Sequence, residues 1–147
     1  MKSCTMIKET APSFSELFEQ FKQSIRGHEG GAIVSFTGIV RADPRSPGTT
    51  SVQTTGIEIE AIEGISSAAL QDIATGIEQR PGIIKVTIVH LTGTFKLGEP
   101  MVHVFVCAAH RSEAFKALED CVNLYKQKTP LWKKELYSDG STKWISH

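Results

Sequence analysis

The chain has 147 residues, 40% of them hydrophobic, and balances 16 Lys plus Arg against 16 Asp plus Glu. That length and composition suit one globular domain and exclude a disordered chain. A net charge of zero argues against a general nucleic-acid or membrane-surface binder, and no apolar run approaches the roughly 20 residues that span a bilayer.

Residues 1–147 are expected to form a single domain, with 1–12 as a flexible lead-in. Met1 to Thr10 carries Lys2, Lys8 and Glu9 without an apolar centre, so no secretory leader is expected there. Ser13 and Glu16 have the spacing of a capping box, and Phe14, Leu17, Phe18, Phe21 and Ile25 follow as one helical stripe. Ala32 to Val40 is β-rich and reads as a strand ending at Arg41; the two prolines and glycine that follow require a loop. Val52 to Ala61, where Ile57 and Ile59 alternate with Glu58 and Glu60, reads as a half-buried strand. Ile65, Ala69, Ile73 and Ile77 mark a second helix, closed near Pro81 and Gly82. Ile83 to Leu91 is a strand and Thr92 to Pro100 a loop. In Met101 to Ala109, Val102, Val104 and Val106 share one face, and His103, Phe105 and Cys107 the other. A third helix runs from about Ser112 to Lys128, with Phe115, Leu118, Val122 and Tyr125 as its stripe, and Pro130 bars its continuation. Asp139 and Gly140 signal a turn between short segments holding Trp132 and Trp144. The order α-β-β-α-β-β-α, with short connections between neighbouring strands, predicts an α+β fold with a mostly antiparallel sheet and three main helices.

Cys4, Cys107 and Cys121 are an odd, sparse set without CxxC spacing, so neither a metal site nor a disulfide framework is expected, and a reduced cytoplasmic compartment fits. Cys107 and Cys121, set among apolar residues, read as buried thiols. No nucleotide-binding glycine loop or nucleophile elbow is present, and no cofactor is expected.

Three places gather cations beside predicted element ends. Arg41 ends the first strand. His110 and Arg111 stand where a strand meets a helix N-terminus, whose free N–H groups suit an anion. Lys126, Lys128, Lys133 and Lys134 flank the break at Pro130, ahead of Glu135. Taken singly, each is ordinary surface chemistry: Arg is mostly solvated, and a lysine in a last helical turn complements the macrodipole. Brought together, clustered lysines lower one another's pKa and make one a usable nucleophile or acid–base group. Residues 110–147 hold seven Lys and Arg against five Asp and Glu, so the neutral total conceals a cationic final quarter.

Four segments, in order and at characteristic spacing, resemble the large, catalytic subunit of molybdopterin synthase, the MoaE family. They are Gly31 to Arg41, Leu97 to Glu99, His110 to Phe115, and Tyr125–Lys126 through Pro130 to Glu135. The resemblance spans roughly Gly30 to Trp144. It implies an α/β hammerhead-like fold and a sulfurtransferase. Sulfur would pass from the C-terminal Gly-Gly thiocarboxylate of a small ubiquitin-like subunit to cyclic pyranopterin monophosphate, making the molybdopterin dithiolene. It also implies a homodimer of large subunits at the centre of a heterotetramer. By resemblance Lys126 and Lys133 are the catalytic candidates, Arg41, His110 and Arg111 the anchor for phosphate and pterin, and Lys134, Glu135, Ile39 and Val40 border the pocket. The chain departs from the family pattern at Leu91, where arginine is usual after the histidine, and at Ile59 and Ile62, where tyrosines are common.

Two other readings stand beside the enzyme. One is a binding partner of a ubiquitin-like sulfur carrier that has lost turnover. The other is an RNA-binding module, which the neutral charge and the lack of aromatic repeats along a strand disfavour.

Overall fold

The computed structural model describes residues 6–8, 12–42 and 52–145, the first three by backbone alone. The element order is β1 (Met6–Lys8), α1 (Phe14–Ser24), β2 (Ala32–Ile39), β3 (Thr54–Ala61), α2 (Ile65–Glu78), β4 (Ile83–Leu91), β5 (Gly93–Lys96), β6 (Pro100–Ala108), α3 (Arg111–Lys128), β7 (Leu131–Tyr137) and β8 (Thr142–Ile145). Two four-stranded sheets result, ordered β1-β4-β6-β2 and β5-β3-β7-β8. Every pair is antiparallel except β1 with β4.

Alternation along β6 sets up two cores. Val102, Val104 and Val106 face α2 and α3, joined by Val86 and Ile88 of β4 and by Leu70, Ile73, Ala117 and Tyr125 of the helices. Phe105 and Cys107 face the other way, onto Leu17 and Phe21 of α1 and Ile57, Ile59 and Phe95 of the second sheet. The Ser13 cap forms as expected, its hydroxyl accepting from the Glu16 N–H at 3.3 Å. Cys107 and Cys121 are buried, as expected, while Cys4 lies outside the described residues.

Several expectations are corrected. Within the expected lead-in, Met6–Lys8 is a strand beside β4; 1–5 and 9–11 lie outside the described residues. So does 43–51, most of the expected loop after Arg41. The expected loop from Thr92 to Pro100 contains β5, and the tail around Asp139 and Gly140 is the β7–β8 hairpin. The order is therefore richer in strands than α-β-β-α-β-β-α. The strands β2 and β3, neighbours in sequence, lie in different sheets, because β2 pairs with β6 and β3 with β5 and β7.

The helical stripes are also rotated. On α2 the buried set is Ser66, Leu70, Ile73, Ala74 and Ile77, and Ile65 is 58% exposed. On α3 it is Ala114, Ala117, Cys121 and Tyr125, and Phe115 is 60% exposed. On α3 mostly small residues line the helix–sheet contact, because they let the backbones approach closely. Among the described residues no helix is long and apolar enough to cross a membrane.

Candidate functional site

The junction between α3 and β7 is pinned from both sides. The helix stops at Thr129, whose N–H still donates to the Tyr125 carbonyl at 3.2 Å although its backbone is already extended. Pro130 then has no N–H with which to continue. Its carbonyl accepts from the Ser66 hydroxyl at 2.6 Å, and the Ser66 hydroxyl oxygen in turn accepts from the Ile62 N–H at 2.9 Å. Ser66 is fully buried, so the clip lies inside the protein.

Beyond the clip, strand alternation sorts the side chains of β7. Lys133 and Glu135 share the inner face, opposite Ile59 and Ile57 of β3. Trp132 and Lys134 point to the outer face, where Lys134 Nζ lies 3.9 Å from Glu58 Oε2 and 4.7 Å from the centre of the Trp144 ring.

Lys133 is only 7% exposed and has no ion-pair partner among the described residues. Burial, and then the charge of Lys126 in the last turn of α3, push its pKa down to about 8. An amine with that pKa keeps about a tenth of its population neutral at pH 7, so one group can stabilise negative charge and also exchange a proton. Glu135, equally buried, does not pair with it. Its Oε1 accepts the Thr54 hydroxyl at 2.5 Å and its Oε2 the Tyr137 hydroxyl at 3.1 Å. Sequence reasoning missed Thr54, Tyr137 and Ser66; the only signal for the first two was the alternation that puts Glu135 on the face of Lys133.

His110 caps the N-terminus of α3 with extended backbone and without a side-chain bond to the helix. It and Arg111 are exposed beside an open cleft of about 590 Å³, lined also by Gly31, Ala32, Ser112 and Glu113. Glu113 comes to 4.0 Å of the His110 ring. The free N–H groups of the helix end and the Arg111 fork suit an oxyanion.

Topology decides which cations meet. The Tyr125 and His90 rings are 5.7 Å apart, His90 pairs with Val102, and Val102 pairs with Gly38. The C-terminal end of α3 therefore lies at the end of the sheet where β2 finishes, and Arg41, exposed, leaves the sheet there. Ile39 beside it is 54% exposed. Val40 is buried, its N–H donating to Glu99 O at 2.9 Å and its carbonyl accepting from Gly98 N–H at 2.7 Å. Arg41, Lys126 and Lys133 thus share one end of the molecule. His110 and Arg111 sit at the other, about 22 Å away along α3 at 1.5 Å per residue. One chain does not bring all five together.

Comparison with known proteins places this arrangement. The family model described as MoaE protein matches residues 11–128. The molybdopterin synthase catalytic subunit of Caulobacter vibrioides is 37% identical over 117 residues, covering 80% of this chain and 73% of that protein. Among solved structures, molybdopterin synthase from Staphylococcus aureus superposes with a TM-score of 0.82 at 30% identity, over 100% of both chains. A Helicobacter pylori protein–protein complex of subunits 1 and 2 of molybdopterin-converting factor contains the same fold, with a TM-score of 0.74 at 19% identity over 98% of this chain and 90% of that one. The chain belongs to the MoaE family, and its function is that of a molybdopterin synthase catalytic subunit, a sulfurtransferase.

Proposed function

We propose that residues 1–147 form one catalytic domain in which Lys133 is the acting amine. The domain directs sulfur from the C-terminal thiocarboxylate of a small ubiquitin-like subunit onto cyclic pyranopterin monophosphate in the cytoplasm. The observation that carries this reading is the buried, unneutralised Lys133 beside Lys126. Donor tail and substrate are both anionic, so a cationic recess attracts each. Attack by the thiocarboxylate sulfur on a pterin side-chain carbon forms a C–S bond as an oxygen substituent of that carbon leaves, and the negative charge that builds on oxygen is stabilised by an adjacent ammonium. Water then cleaves the acyl–sulfur bond, leaving the sulfur on the pterin and the tail as a carboxylate. Lys133 then holds or returns the proton, with burial first and the charge of Lys126 second bringing its pKa near the working range. Ile39 and Glu135 border the recess, with Val40 strapped behind it and Lys134 steadying the outer face of the same strand.

The complex solved from Helicobacter pylori supports a small-subunit partner for this chain. The separation of the cations supports a homodimer at the centre of a heterotetramer. Two copies related by a two-fold axis, with their α3 helices antiparallel, would set His110 and Arg111 of one copy beside Arg41, Lys126 and Lys133 of the other. The α3 N-terminus would then hold the phosphate while the lysines serve the sulfur chemistry.

Reconstitution with purified thiocarboxylated small subunit and the cyclic pterin tests the reading. Lys133→Ala is expected to abolish dithiolene formation while the fold and small-subunit binding persist. Normal molybdopterin output from that variant would overturn the role of Lys133. Small-subunit binding without turnover by the unaltered chain would point instead to a non-catalytic partner.

A further inference from the structure

Lys133 and Glu135 stand two residues apart on one face of β7, which places their Cα atoms about 6.6 Å apart. A lysine and a glutamate side chain readily span that distance, and a buried ammonium beside a buried carboxylate gains most by pairing with it. Among the described residues they do not pair; both carboxylate oxygens are instead taken by hydroxyls from two strands, Thr54 on β3 and Tyr137 on β7. Thr54 and Glu135 are both at least nine-tenths buried, so water does not hold the carboxylate in their place.

We propose that Thr54 and Tyr137 are positioning residues that clamp the Glu135 carboxylate away from Lys133 and so leave the amine open to an anionic donor. The inference rests on the reading of Lys133 as the acting amine. The surroundings leave few other groups to set its charge. From α3 only Lys126 acts on it. Ile59 lies opposite on β3 and Ile145 on β8, while Lys143 stands opposite Glu135 and is exposed. Glu58 and Lys134 are on the other face. Among the described residues Glu135 is therefore the one carboxylate on its own face placed to neutralise it. A paired Lys133 would present a net neutral couple to the incoming tail, with a carboxylate that repels it.

The test is the titration of the Lys133 amine in the full chain, read from the pH dependence of its acylation by peptide mass spectrometry. In Thr54→Val/Tyr137→Phe the midpoint is expected to rise by about one to three pH units, as for a new opposite charge within contact. Adding Glu135→Gln should return it towards the starting value, and Thr54→Ser should leave it in place. An unchanged midpoint in the folded double variant overturns the clamp. If that variant fails to fold, Tyr137→Phe alone decides, since it removes only a hydroxyl: a partial rise supports the clamp and no rise overturns it. The pH profile of sulfur transfer separates the two readings. If the amine midpoint rises and the profile does not follow, the clamp stands and the assignment of Lys133 as the acting amine falls.

Discussion

Burying Lys133 costs the protein stability at neutral pH. Its pKa falls from 10.5 in the unfolded chain to about 8 in the fold, because burial and the neighbouring Lys126 disfavour its charged form. Between those two values the unfolded chain binds the proton more tightly, so folding becomes more favourable as pH rises from 8 towards 10.5. Below pH 8 the full penalty applies, on the order of 3 kcal/mol. Lys133→Met should therefore be more stable than the unaltered chain at pH 7 by up to about 3 kcal/mol, with the gap narrowing towards pH 10. Urea unfolding of both proteins at the two pH values checks this; equal stability at pH 7 would mean that the amine is solvated. A residue that weakens the fold where the enzyme works fits a group kept for its chemistry.

At the scale of elements, neighbouring strands approach at glycines that leave no room for a side chain. A Cβ on Gly56 would stand 2.2 Å from the Phe95 carbonyl oxygen, across the β3–β5 pair. Gly56→Ala should therefore push β5 off and cost about 1–3 kcal/mol, as overpacking does. A lowered melting temperature together with faster amide exchange at Thr94 to Lys96 is the expected result. Wild-type exchange there would show that β5 yields without strain. Elements with strong local signals were legible in the sequence: the Ser13 cap of α1, the valine face of β6, and the stop of α3 at Pro130. Those that depend on partners were not. The four-residue β5 exists because β3 offers it a ladder, and Met6–Lys8 because β4 does. Phe115 misled the reading of α3, since large apolar residues dominate a periodicity count while Ala114, Ala117 and Cys121 make the buried contact. The candidate lysines stood in one short segment and could be read from it. The clip at Ser66 and the Thr54 hydroxyl on Glu135 join residues 64 and 81 positions apart in the chain and could not.

The whole molecule is neutral but divided, with Arg41, Lys126 and Lys133 at one end and His110 and Arg111 at the other. On the proposed reading one reaction uses both ends, and a chain that holds them about 22 Å apart along α3 would need a second copy. Complementation is the most direct measurement of this claim. Lys133→Ala and Arg111→Ala chains, each inactive alone, are mixed, allowed to exchange subunits, and assayed for dithiolene formation with thiocarboxylated small subunit. If the site is shared, each mixed dimer regains one complete site, and about a quarter of the unaltered activity returns at random assortment. If sulfur transfer is completed within one chain, every site still carries a lesion, and the mixture stays as inactive as its parts.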